Sequence, residues 1–225
     1  MADFTLVLAN KNYSSWSVRA WLAARQTDAP FEEIVIPLDQ SATAGEIAAH
    51  SPSGKVPVLK TDGLVIWDSL AIVEYLAERY PSAGLWPAAA EARATARAAC
   101  AEMHAGFHAL RSQHPMNVRT ARPGRTRSAE LEADIRRITT LWRDCRQRFG
   151  RNEETGRHGR FLFGAWSAAD AFYAPVVSRF ITYGVEVDDN CRDYIEAVLD
   201  TPMVAEWFAA ARAEPWTMPR FDTLG

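Results

Sequence analysis

Ser53-Gly54-Lys55-Val56-Pro57-Val58-Leu59, followed by Trp67-Asp68-Ser69-Leu70-Ala71-Ile72, decides how the chain folds. Pro57 has no N–H to give to a sheet, so it belongs at the first residue of a strand or on an edge. It also pushes Val56 towards extended backbone. If the Val56–Pro57 bond is cis, the chain turns sharply and Val56 exposes its N–H and C=O to the backbone of a ligand. Beyond the proline, residues 58–60 and 64–67 read as two short strands around Thr61-Asp62-Gly63, whose Asp-Gly step signals a hairpin. A helix then opens at Asp68-Ser69, keeps its period through Leu70, Val73, Leu76 and Tyr80, and stops at Pro81. The free N–H groups of its first turn form an anion site, to which Ser69 adds a hydroxyl donor. Asp68 caps the same turn or accepts an ammonium group. Together the two corners suit a small peptide-like anion; each taken alone is also an ordinary hairpin or an ordinary capped helix.

Working outward from this stretch, Phe4–Ala9 reads as a strand, Ser15–Gln26 as a helix and residues 32–38 as a second strand. Another helix opens at Thr43-Ala44-Gly45-Glu46, which has the pattern of a capping box. The resulting order, β-α-β, α, β-β-α, predicts a mixed sheet with helices on its faces. A connector at residues 82–87, with prolines at 81 and 87, separates this part (1–81) from a second one (88–225) in which every periodic segment is helical. There we expect an alanine-rich helix over 88–111, a helix over 128–149, a polar loop over 151–160 and a buried helix through Ala174, Val177, Phe180 and Ile181. The last of these is opened by Ser167-Ala168-Ala169-Asp170, a second capping box, and stopped by Gly184. Helices over 190–199 and 203–211 precede an extended tail with Pro215, Trp216 and Pro219.

Composition excludes several classes. The chain has 225 residues, 48% of them hydrophobic, which is enough for a full core, and a net charge of -3 gives no electrostatic reason to bind nucleic acid. Cys100, Cys145 and Cys191 are widely spaced, with no Cys-x-x-Cys and no Cys/His cluster. That argues against a disulfide framework, a metal site or a dithiol centre, and favours a reducing compartment. No stretch reaches membrane-spanning length and the N-terminus has no signal-peptide pattern, so the expectation is a soluble cytoplasmic protein without a membrane partner.

A thioredoxin-like α/β half, a proline connector and an all-helical half resemble the glutathione transferases across essentially the whole chain. The match rests on residues: Lys55-Val56-Pro57 at the family's cis-proline corner, Asp68-Ser69 where its members hold the γ-glutamyl group, and Ser167 to Asp170 as its folding-related capping box. Tyr13-Ser14-Ser15-Trp16-Ser17-Val18-Arg19 is similar to the zeta class, the serine-type class that includes maleylacetoacetate isomerases. Trp16 replaces that class's cysteine and Val18 its tryptophan. The resemblance implies glutathione as co-substrate, bound by Lys55, the Val56 backbone, Asp68 and Ser69, no metal, a small electrophile as second substrate, a role in detoxification, and a homodimer. The implied reaction is conjugation of the glutathione thiolate or its transient addition, as in a cis-trans isomerase. A non-catalytic interaction protein on the same fold is the alternative.

Ser14 is the candidate that activates the thiol, with Ser15 and Tyr13 as alternatives; either serine is also a candidate helix N-cap. A thiol of pKa near 8.5 is mostly protonated at neutral pH, and lowering it by ~2 units takes about 2.7 kcal/mol. A hydrogen bond to a charged group supplies about 1.5–3 kcal/mol and a helix N-terminus roughly 0.3–1. One hydroxyl at the start of a helix is therefore sufficient. For the second substrate, His104, His108 and Arg111 follow at i, i+4 and i+7 on one helical face with Phe107 beside them, a stripe able to orient an acidic electrophile such as a keto acid, or equally a solvated interdomain face. Asn117 and Arg119 are candidates for covering that pocket.

Overall fold

The computed structural model describes residues 2–151 and 158–222. Strands β1 (Phe4–Ala9), β2 (Phe31–Ile36), β3 (Val58–Thr61) and β4 (Leu64–Ile66) form one sheet in the order β2-β1-β3-β4. β1 pairs parallel with β2 and antiparallel with β3, Val7 facing Ile34 on one side and Val58 on the other. The parallel pair requires a crossover, which α1 (Ser15–Gln26) supplies. Leu6, Val7 and Leu8 are all fully buried, as a central strand covered on both faces demands. Leu6, Leu8 and Leu59 pack under α1 and α3 (Ser69–Arg79), while Val7, Ile36 and Val58 meet Ile47 of α2 (Thr43–His50) on the opposite face.

The remaining elements are helical: α4 (Ala90–Ala105), α5 (His108–Gln113), α6 (Ala129–Phe149), α7 (Ala168–Thr182), α8 (Asp189–Leu199), α9 (Pro202–Ala213) and the short α10 (Pro219–Asp222). α7 lies at the centre, against α1 and α4. Phe172, Tyr173 and Phe180 on it are buried, each side chain contributing roughly 1.5–3 kcal/mol of transfer free energy. Its capping box is formed: Asp170 Oδ2 accepts the Ser167 N–H at 2.9 Å, and Oδ1 accepts the Leu162 N–H at 3.2 Å. Complete burial nevertheless raises the Asp170 carboxyl to about 6, against the pull of these hydrogen bonds. Gly184 ends the helix in the left-handed region at φ 60°.

Four expectations are corrected. The capping box at Thr43 to Glu46 does not form: the Thr43 hydroxyl donates to the Pro37 carbonyl at 2.6 Å, and the N-cap is Ala42. The long helix over 88–111 is two helices, because the Gly106 N–H caps α4 on the Glu102 carbonyl at 2.8 Å and Phe107 adopts a left-handed φ of 55°. A side chain at 106 would sit 2.8 Å from that same carbonyl, so the break uses a glycine. Ile181 is exposed at 49% although Phe180 and Thr182 on either side of it are buried, because its position turns it off the helix's packed face. The tail is not simply extended, since α10 folds back onto the first half. The loop expected at 151–160 falls mostly on residues 152–157, outside the described residues.

Candidate active site

The Val56–Pro57 bond is cis, and β3 begins just after it at Val58. Val56 therefore lies outside the ladder, with its N–H and C=O free of hydrogen bonds among the described residues. Asp68 caps α3, its Oδ1 accepting the Leu70 N–H at 3.0 Å. Behind it Ser69 is fully buried, and its Oγ has no hydrogen-bond partner among the described residues. The start of α3 is thus suited to an anion, although Ser69 itself lines neither cavity of the site.

Ser14 is the N-cap of α1, which resolves the two-serine ambiguity for the cap. Its Oγ accepts the Ser17 N–H at 3.2 Å and donates to Ser17 Oγ at 2.8 Å, and Ser17 Oγ also accepts the Ala9 N–H at 2.9 Å. Ser14, Lys55, Val56 and Asp68 line one cavity of about 770 Å³ between the two halves. Ser15 does not reach it; with Ser14 it borders a second cavity of about 410 Å³. Tyr13 borders the second cavity too, but its phenol donates to both oxygens of Asp222, at 2.7 and 2.9 Å, and accepts from Arg119 at 2.8 Å. With its proton committed there, Tyr13 is not free to serve a thiolate.

Trp16 and Arg111 line both cavities and divide them. The Trp16 indole is held between two guanidinium groups, Arg19 at 4.5 Å and Arg111 at 4.8 Å from the ring centre, with the His104 ring edge-on at 4.9 Å. Arg19 is fully buried, and none of its guanidinium nitrogens has a hydrogen-bond partner among the described residues. Burial first, then the charges of Arg179 and Arg111, lower it to about 9. Arg179 lines the second cavity, also buried, and is lowered to about 10 by burial and by Arg111. No carboxylate is among the charges acting on Arg19 or Arg179. Arg19, Arg111 and Arg179 thus lie close enough for their charges to interact, and none of them forms an ion pair among the described residues, a field that favours an anion.

The second-substrate candidates divide. Arg111 is in place. His104 belongs to the first cavity, where Nε2 lies 3.0 Å from Asp68 Oδ2; burial lowers its pKa while Asp68 opposes that shift. The i, i+4, i+7 face does not exist, because the chain breaks between His104 and His108. Phe107 is a core residue at 7% exposure, and Asn117 is buried with its amide on Asn12 and Asp222. Neither lines a cavity. Trp16 and Arg179 were not singled out for the site by the sequence; the one available signal was a lone arginine inside the apolar run of α7. Among the described residues there is no cluster of side chains able to hold a metal ion, and no helix is long and apolar enough to cross a membrane.

A mixed four-stranded sheet with a cis-proline corner, joined to a helical bundle around a buried, capped helix, is the architecture of a glutathione transferase. Residues 13–79 match the family described as glutathione S-transferase, N-terminal domain. A probable maleylacetoacetate isomerase of Caenorhabditis elegans is 36% identical over 96 residues, 43% of this chain and 44% of that protein. The maleylacetoacetate isomerase of Rhizobium meliloti is 41% identical over 76 residues, 33% of this chain and 36% of that one. These alignments span less than half the length of either relative. Among solved structures, the zeta-class maleyl pyruvate isomerase in its holo form superposes with a TM-score of 0.70 at 22% identity, covering 95% of this chain and all of that one. A Burkholderia glutathione transferase homologue with bound glutathione gives 0.69 at 23% identity, over 94% of this chain and 99% of that chain. At these identities the superpositions speak for the fold. Residues 13–79 thus carry a glutathione S-transferase N-terminal domain, and the chain as a whole has the fold of the glutathione transferases, similar over part of its length to zeta-class isomerases.

Proposed function

We propose that the protein is a cytoplasmic, homodimeric enzyme that activates glutathione in the first cavity and delivers its thiolate to a small electrophile carrying a carboxylate in the second. The observation that carries this reading is the position of Ser14 on the border of both cavities, with Val56 and Asp68 on one side, Arg179 on the other and Arg111 on both. The free N–H and C=O of Val56 suit the peptide backbone of glutathione. Asp68 accepts its γ-glutamyl ammonium, the N-terminus of α3 and Ser69 Oγ receive the α-carboxylate, and Lys55 lies at the cavity's edge for a further carboxylate contact.

The chemistry needs no covalent enzyme intermediate. Ser14 exchanges its neutral hydrogen bond to Ser17 for a charge-assisted one to the thiolate, a net gain of about 1–1.5 kcal/mol, and the α1 N-terminus adds roughly 0.3–1. Together these lower the thiol by about one to two pKa units, less than the sequence expectation because the hydroxyl must first leave Ser17. The arginines orient the carboxylate of the electrophile and stabilise negative charge that develops on it. Conjugation is completed by proton uptake on the adduct. The second reading, cis-trans isomerisation, has the thiolate add, permit rotation about the former double bond and leave again; the isomerases among the relatives favour it.

Calorimetric titration with glutathione tests the site, and the expected result is saturable binding in the micromolar to millimolar range. Absence of binding at millimolar ligand would sink both enzymatic readings in favour of an interaction protein. Turnover assays with maleylacetone beside aryl halides, epoxides and organic peroxides then separate the two reactions. Isomerised maleylacetone with glutathione recovered intact marks the isomerase, whereas a stable thioether marks the transferase.

A further inference from the structure

The segment at 214–222 makes more polar contacts with the turn carrying Ser14 than a chain end needs in order to pack. Glu214 accepts two successive amides with its two oxygens, Lys11 N–H at 2.6 Å and Asn12 N–H at 3.0 Å. Asp222 accepts the Tyr13 phenol, the Asn117 amide at 2.8 Å and the Met218 N–H at 3.1 Å. Arg119 ties these together, donating to the carbonyls of Glu214 at 2.8 Å and Trp216 at 2.6 Å as well as to Tyr13. Ser14 is tied forward to α1 through Ser17, while behind it the N–H groups of Tyr13 and Ser14 share the Asn10 carbonyl at 3.3 and 3.1 Å. Three consecutive residues directly before Ser14 are thus held from outside by two carboxylates that come from the far end of the chain.

We infer that Glu214 and Asp222 are positioning residues for the Ser14 hydroxyl: they fix Lys11, Asn12 and Tyr13 so that Ser14 Oγ enters the first cavity at the height of the thiol. The inference rests on the reading of Ser14 as the thiol's hydrogen-bond donor. Neither carboxylate borders that cavity, so they act through the turn and not on glutathione. A charge-assisted hydrogen bond tolerates a displacement of only about half an ångström before its geometry degrades, and Ser17 fixes Ser14 only from the α1 side, so the turn before it also has to be held. The same segment places Arg220, which pairs with Asp39 at 3.0 Å, and Phe221 at the rim of the second cavity. The segment that anchors the turn therefore also supplies part of the wall of the second cavity.

The test uses full-length Asp222→Ala, Glu214→Gln and Tyr13→Phe, each checked for an intact thermal transition. Amide hydrogen exchange across residues 10–17 should accelerate about ten-fold or more in Asp222→Ala, with the β1 and α7 amides unchanged. The pKa of the bound glutathione thiol, read from thiolate ultraviolet absorbance, should rise by about half a unit to one unit, while affinity for S-methylglutathione, which has no thiol, stays within about two-fold. Unchanged exchange in the turn overturns the inference, whatever glutathione does. So does faster exchange with an unaltered thiol pKa. If the wild-type protein binds no glutathione although exchange accelerates, the anchoring stands and the glutathione reading falls. Tyr13→Phe, which keeps the ring and removes only the hydroxyl, gives the same readouts should Asp222→Ala fail to fold.

Discussion

The two cavities that meet at Ser14 are built in different ways. The first is centred on two backbone corners, the cis bond at Val56–Pro57 and the capped start of α3 at Asp68, with Trp16, His104 and Arg111 around them. The second is made of long side chains from separate elements, Arg111 on α5, Arg179 on α7 and Arg220 on α10, with Trp16 of α1 as the dividing wall. A backbone site is set once its strand and helix form and recognises what all glutathione molecules share. A side-chain site can change its ligand by substitution without disturbing the sheet, so under the proposed function the second cavity is where specificity for the electrophile would be set.

The sharpest way to break this division is to remove the residue that belongs to both sides. Ser14→Ala should lower turnover about 10- to 100-fold, the loss of one hydrogen bond to a charged group, and raise the bound thiol's pKa. A single-turnover assay with an ultraviolet thiol titration measures both; an unchanged thiol pKa would transfer the role to Ser15. Next in size, Arg179→Gln should raise KM for a carboxylate-bearing electrophile about ten-fold and leave the glutathione dissociation constant within about two-fold. The methyl ester of the same electrophile should be indifferent to the change, and equal losses for acid and ester would refute an anion site.

Arg19→Met probes the field beneath Trp16. Because the guanidinium is buried without hydrogen bonds among the described residues, an apolar replacement of similar length should leave stability unchanged or raise it by about 1–2 kcal/mol in urea unfolding, while weakening the carboxylate substrate. Marked destabilisation would show that the stack of Arg19 on Trp16 and Phe172 outweighs its desolvation. The smallest effect belongs to His104. Its folded pKa lies below the ordinary 6.5, so its contribution is complete above pH 6.5 and is lost as pH falls towards the folded value. His104→Gln should therefore reduce the loss of stability on acidification below pH 6.5, by less than about 1 kcal/mol for a half-exposed pair with Asp68. Equal acid sensitivity in both proteins would assign the effect to other groups.

Most of the first cavity was legible before folding. Proline at a strand start, Asp-Gly in a hairpin and Asp-Ser at a helix start each obey rules that act over a few residues, and the structure has them as read. The local rules failed where tertiary contacts competed with them. Thr43 abandons its capping box for the Pro37 carbonyl, and Gly106 with Phe107 breaks a helix that alanine-rich composition would continue. That break separates His104 from Arg111, sends the histidine to Asp68 and leaves Phe107 in the core.

The sequence by itself determined the strand and helix order of the first half and placed the corners at Val56–Pro57 and Asp68–Ser69, because backbone conformation and capping are decided among near neighbours. Only the tertiary structure decided that Arg19, Arg111 and Arg179 share one field, that Tyr13 is spent on Asp222, and that residues 214–222 hold the Ser14 turn. Those relations join residues up to 209 positions apart, and their energies exist only once the core has brought the elements together.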